Sequence, residues 1–168
     1  MTYRFLVMAI HLNSRGLAFV IFEGELAPLD WSIVEARGSE RREKILARID
    51  ALFARFRPNV VVLEAMSEVA PRRPQRIRSL NEAIMEAAKK YAFPTVFFSR
   101  AAVRQQFTHL GTVTKEAVAM AIAKHIPAFE RFLPGPRKPW ESEDARMGIF
   151  DAAALALTFY HTRFQSGV

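Results

Sequence analysis

A chain of 168 residues with 51% hydrophobic content carries enough apolar material for one core, so residues 1–168 read as a single domain. The formal net charge of +7 favours an acidic partner, nucleic acid ahead of anionic membrane. The absence of cysteine excludes disulfides and thiolate metal sites, leaving His, Asp and Glu as possible ligands. No run is apolar enough to cross a bilayer, and we expect a cytoplasmic protein with no membrane partner.

In chain order, Arg4-Phe-Leu-Val-Met-Ala-Ile-His11 is an almost unbroken apolar run, the pattern of a mid-sheet strand covered on both faces. It lacks a small-residue cleavage site, so it reads as a strand and not a signal peptide. His11 closes it, at the carboxyl end where open α/β sheets place their chemistry. A short polar link, Leu12 to Arg15, leads into a second strand from Gly16 to Gly24, which predicts an antiparallel hairpin. Leu29 to Ala36 reads as a third strand. Gly38-Ser39 opens a helix, with Ser39 expected as N-cap and an apolar stripe of Ile45, Ile49, Leu52, Phe53 and Phe56. Pro58 stops that helix. Asn59-Val-Val-Val-Leu-Glu64 is then a buried-type strand ending in a carboxylate. Strand, helix, strand implies a parallel crossover, and Glu64 meets His11 at one sheet edge if the two strands are neighbours.

Ala70 to Ser79 reads as a basic loop with two prolines, carrying Arg72, Arg73, Arg76 and Arg78. A helix from about Leu80 to Tyr91 and a strand from Thr95 to Phe98 follow. Ser99 is placed to cap a short helix bearing Val103 and Phe107, and Thr114 to start another that runs through about His125. Pro127 to Pro139 holds four prolines and a glycine and reads as a loop or stiff connector. Ser142 is expected to cap the last helix, with Glu143 and Asp144 in its first turn. Met147, Phe150, Ala154, Leu157, His161 and Phe164 form its core stripe, with Asp151 beside it.

This order of elements is that of the ribonuclease H fold, and the details resemble the RuvC-like Holliday-junction resolvases from about Phe5 to Tyr160. In that family the first strand ends in an aspartate followed by a polar Ser-Arg turn. Here Ile10-His11-Leu12-Asn13-Ser14-Arg15 matches, with His11 in the aspartate's place. The second strand-end carboxylate matches Glu64, and the family's alanine-rich final helix with its Asp resembles Asp151-Ala-Ala-Ala-Leu-Ala-Leu-Thr158. A further ligand one turn earlier would fall at Gly148, which has no side chain to offer. Arg104 and Lys115 match two basic residues near the scissile phosphate. The resemblance implies a mixed five-stranded α/β sheet with helices on both faces, acting as a metal-dependent endonuclease on branched nucleic acid. It also implies a homodimer and a Mg2+ or Mn2+ cofactor, with DNA favoured over RNA.

Such hydrolysis uses two hard cations roughly 4 Å apart, held by carboxylates from separate elements. His11, Glu64 and Asp151 are the expected metal ligands and catalytic groups, and Lys115 or Arg104 would neutralise charge on the phosphate. Glu64 resists a structural explanation, because an unpaired buried carboxylate is costly. Asp151 has one, pairing with a nearby arginine. An imidazole supplies one nitrogen and no charge, and manganese accepts it more readily than magnesium does. Three possibilities stay open for His11: a weakened or manganese-preferring site, a fold kept for binding with catalysis lost, or a general base for the attacking water. Arg15, Arg72, Arg73, Arg76, Arg78 and Arg104 are the expected nucleic-acid contacts, against the ordinary reading of a solvated charge run. Phe107 and Trp140 suit either base stacking or core packing. A third class, outside nucleic acids, is an assembly subunit whose basic loop meets an acidic protein.

Overall fold

The computed structural model describes residues 4–66, 74–111 and 113–165, apart from the side chains of residues 164 and 165. A five-stranded sheet has the order β3-β2-β1-β4-β5, built from β1 (Val7–Leu12), β2 (Gly16–Phe22), β3 (Pro28–Glu35), β4 (Val60–Glu64) and β5 (Thr95–Phe98). β1 pairs antiparallel with β2 and parallel with β4, while β2–β3 is antiparallel and β4–β5 parallel. The helices are α1 (Arg41–Phe56), α2 (Gln75–Lys90), α3 (Arg100–Gln105), α4 (Lys115–His125) and α5 (Met147–Gln165).

Alternation along the strands divides the interior in two. Met8, Ile10, Leu12, Leu17, Phe19, Ile21, Val61 and Leu63 face α1 and α2, packing on Ile45, Ile49, Phe53, Ile77 and Ile84. Val7, Ala9, Ala18, Val20, Phe22, Val60 and Val62 face α4 and α5. Each fully buried phenylalanine, such as Phe19, Phe22, Phe53 or Phe150, contributes roughly 1.5–3 kcal/mol relative to exposure. The strand period of two places His11 and Glu64 on the α5 side of the sheet. There α5 lies close, through buried Ala152, Ala153, Ala154 and Ala156.

Several local expectations need correction. Ser39 is not a cap: Gly38 to Glu40 make an additional turn, closed by Arg41 N–H on the Gly38 carbonyl at 3.3 Å, and α1 begins after Glu40. α2 starts at Gln75 and not near Leu80, because Pro74 supplies a fixed backbone and its carbonyl accepts the Ile77 N–H at 2.9 Å. Arg76 and Arg78 therefore stand on a helix, and Arg72 and Arg73 lie outside the described residues. Residues Pro127–Phe132 form a 3-10 helix that buries Phe129. Ser142 does not cap α5. Asp144 starts it instead, accepting the Arg146 N–H at 2.9 Å on its carboxylate while its carbonyl takes the Met147 N–H at 3.0 Å. The expected Ser99 and Thr114 caps are present, each accepting a backbone N–H at 3.1 Å. His161 leaves the core stripe and pairs with Glu25 at 3.3 Å.

The hairpin turn depends on a close approach. A Cβ at Gly16 would stand 2.0 Å from the Val34 carbonyl oxygen, so β2 and β3 touch only because that position is bare. Gly16→Ala should lower stability by about 1–3 kcal/mol, the usual cost of overpacking. A fall in the urea midpoint checks this, and an unchanged midpoint contradicts it.

Candidate active site

At the carboxyl edge of the central strands, His11 from β1, Glu64 from β4, Asp151 from α5 and Lys115 from α4 converge on one cleft of about 810 Å³. The register pairs Ile10 with Leu63, which puts His11 and Glu64 side by side one residue on. Both are buried, His11 9% and Glu64 7% exposed. His11 Nε2 stands 3.4 Å from Asp151 Oδ2. Lys115 Nζ reaches the same oxygen at 3.5 Å and also donates to both carboxylate oxygens of Glu143, at 3.0 and 3.2 Å. A smaller, largely apolar hollow of about 280 Å³ lies behind this cluster, walled by Val103, Phe107, Val118 and Phe150.

Glu64 is held by a residue that the sequence reading missed. Arg100 Nε donates to Glu64 Oε1 at 2.7 Å. The signal was available: β5 pairs Phe98 with Glu64, so residues just past Phe98 emerge beside that carboxylate. The burial of Glu64 thus has a structural explanation in an ion pair. Glu143 was also missed, because it was assigned to a helical first turn. Asp144 lines the cleft but is committed to Arg146, at 2.6 and 3.0 Å through the guanidinium. Those hydrogen bonds outweigh partial burial and lower its carboxyl pKa to about 2.

The remaining expected contacts divide. Arg15 is exposed on the β1–β2 turn, which Asn13 shapes by accepting the Arg15 and Gly16 N–H groups at 2.9 and 3.0 Å. Arg76 donates to the Ser14 carbonyl of that turn at 3.3 Å, and Arg41 donates to the same oxygen. The Arg41 guanidinium pKa is lowered, first by burial and then by repulsion from Arg76. Arg41 is a second basic residue that sequence reasoning passed over. Arg78 is half-buried on α2. Arg104 donates to the Val113 carbonyl at 3.2 Å and borders the apolar hollow. Phe107 is core, 5% exposed, whereas Trp140 is 78% exposed.

The donor set does not fit a pair of divalent cations. Among the described residues, Glu64 and Asp151 are the inner carboxylates and Glu143 and Asp144 line the cleft outside them, and all four are already paired with basic side chains. His11 offers imidazole nitrogen where a hard cation favours oxygen. Gly148 has no side chain to add, and a Cβ there would stand tight against the Ala18 Cβ, at 3.0 Å. Among the described residues no group of three His, Asp or Glu side chains is arranged to hold a metal ion. Two hard cations need several oxygen donors of net negative charge. Here Arg100 pairs with Glu64, and Lys115 with Asp151 and Glu143.

The topology and two-sided helical cover define a ribonuclease H-like fold of the RuvC type. Among solved structures, the chain is similar to Thermus thermophilus RuvC in complex with a Holliday junction substrate, at TM-score 0.70 and 21% identity over 98% of both chains. It is similar to a second Thermus thermophilus RuvC structure, at TM-score 0.65 and 23% identity over 95% of this chain and 96% of that one. The yeast mitochondrial Holliday junction resolvase Ydc2 matches at TM-score 0.59 and 14% identity, over 95% of this chain and 82% of that one. No protein-family model and no curated protein matches the chain. No helix among the described residues is long and apolar enough to cross a membrane.

The Asp144–Arg146 pair gives a direct check on this charge map. A depressed carboxylate pKa means the pair's stabilisation is complete above about pH 4, the unfolded value, and is lost as pH falls towards 2. Carboxyl-carbon NMR should titrate Asp144 near 2 in the wild type. In Arg146→Ala it should return to about 4. An unmoved midpoint would contradict the assignment.

Proposed function

We propose that this chain binds branched DNA on the resolvase-type face around the His11–Glu64–Asp151 cleft, as a nuclease-derived binding protein with its hydrolytic centre silenced. The observation that carries this reading is the charge arrangement of the cleft. Its inner carboxylates are matched by Arg100 and Lys115, while Arg15, Arg41 and Arg76 crowd the turn beside it. A polyanion gains from such a rim by counterion release. The fold neighbours are resolvases, one of them described with a Holliday junction substrate. That supports branched DNA over RNA as the ligand. A homodimer belongs to the proposal on the same analogy.

The endonuclease reading is the second, and it has its own support. His11 and Lys115 both contact Asp151, which is a usable acid–base and charge-neutralising arrangement. In that reading His11, Glu64 and Asp151 would hold Mg2+ or Mn2+, which would supply the activated water.

Binding and cleavage of labelled four-way junction, flap, single-stranded and duplex DNA separate the two. For the binding protein we expect tight junction binding with no cutting in magnesium or manganese. Glu64→Gln should then leave affinity nearly unchanged. Arg15→Ala, Arg41→Ala and Arg76→Ala should each reduce the salt slope of affinity by about 1 where a phosphate contact is lost. Cutting by the wild type that Glu64→Gln abolishes would establish the nuclease instead. Weak, salt-insensitive binding to every substrate would contradict both.

A further inference from the structure

The connector between the 3-10 helix and α5 carries an aromatic side chain that no core claims. Trp140 is 78% exposed, the most exposed large apolar side chain among the described residues. The chain's other tryptophan, Trp31, packs edge-on against Phe129 at 5.1 Å and Phe132 at 6.4 Å. Leaving an indole in water forfeits a large burial gain, so its placement there calls for a reason.

The turn around Trp140 is shaped and cationic. Glu141 N–H donates to the Lys138 carbonyl at 3.0 Å, Lys138 N–H donates to the Glu141 carboxylate at 3.3 Å, and Arg137 donates to the Glu141 carbonyl at 3.2 Å. Pro134, Pro136 and Pro139 restrict the backbone leading into it. The Lys138 ammonium lies 5.4 Å from the indole centroid. The loop is also tied to the cleft. Ser142, Glu143 and Asp144 line it, and Glu143 accepts from Lys115. Glu143 follows Trp140 by three positions, a Cα-to-Cα reach of at most about 11 Å. The Trp140 backbone therefore lies within that reach of the cleft lining, with the Lys138 ammonium beside its indole.

We infer that Trp140 is a stacking platform for an unpaired nucleobase at the rim of the cleft, with Lys138 and Arg137 meeting the adjoining phosphate. This rests on the branched-DNA reading and says which part of the branched substrate is read. One exposed aromatic face beside two cations matches a nucleotide, which offers a π-face and an anion together. A protein-docking surface would be a contiguous apolar patch. Leu26, Leu29 and Phe97 sit on other elements, and Met120 lines a hollow with Leu133, Pro134 and Pro139 of the connector, in the walls of which Trp140 takes no part.

The test compares wild type, Trp140→Ala and Trp140→Phe for binding to a four-way junction, single-stranded oligo-dT and a duplex capped at both ends by non-nucleotide linkers. Trp140→Ala should weaken junction and single-strand binding about 5- to 50-fold, the scale of one lost base stack. Trp140→Phe should recover most of it, and the capped duplex should be unaffected. In a Trp31→Phe background Trp140 is the sole tryptophan, and its emission, excited at the red edge where the three tyrosines do not absorb, should be quenched by the junction and by oligo-dT. Junction binding by Trp140→Ala at wild-type strength would overturn the inference while leaving the branched-DNA reading in place. So would unquenched emission at saturating junction. Quenching by oligo-dT without junction preference would uphold the stacking platform and overturn the branched-DNA reading. No binding and no quenching would overturn both.

Discussion

The parallel pairing of β1 with β4 is the constraint on which the rest of the molecule depends. Both strands are apolar on both faces, so neither can lie at an uncovered edge, and each face needs its own helical layer. A parallel pair needs a crossover, which α1 supplies, and the crossover places its helix on the face of Met8, Ile10 and Val61. The opposite face is left to α4 and α5. The same pairing brings His11 and Glu64 together at one edge, and the strand period turns both towards Asp151. Site geometry here is a consequence of strand register.

The carboxylates gathered there are met by basic side chains from neighbouring elements. Arg100 reaches Glu64 from the end of β5, and Lys115 bridges Asp151 and Glu143 from the start of α4. An imidazole, His11, stands where the resemblance would put the first carboxylate. A buried carboxylate needs a counter-charge, and it can come from bound cations or from the chain itself. In this chain it comes from the chain itself. Gly148, without a side chain, lies tight against Ala18 and adds no donor.

Much of this was legible in the sequence because apolar periodicity and strand-end polarity are strong signals. The continuous run before His11, the run before Glu64 and the alanine-rich stretch after Asp151 placed all three side chains correctly relative to the sheet. Caps with a hydroxyl followed by a free helix start, Ser99 and Thr114, were equally readable. Ser39 and Ser142 were not, because a cap depends on where the backbone turns, and an additional turn before α1 and the Asp144–Arg146 motif before α5 moved both helix starts. Arg100 and Arg41 escaped because their partners are long-range: Glu64 lies 36 residues from Arg100, and Ser14 lies 27 from Arg41. Exposure also lay beyond the sequence. Phe107 and Trp140 looked alike there, and the fold buries one and leaves the other in water.

The central claim is that the cleft's own basic side chains replace the cations, and manganese binding tests it most directly. Electron paramagnetic resonance of free Mn2+ would be followed as wild type, His11→Asp and Arg100→Ala are titrated in. The account predicts that wild type leaves the Mn2+ signal unchanged at millimolar concentration, and that His11→Asp combined with Arg100→Ala depletes it. Depletion by the wild type, abolished in Glu64→Gln, would contradict the account and restore a metal-dependent centre.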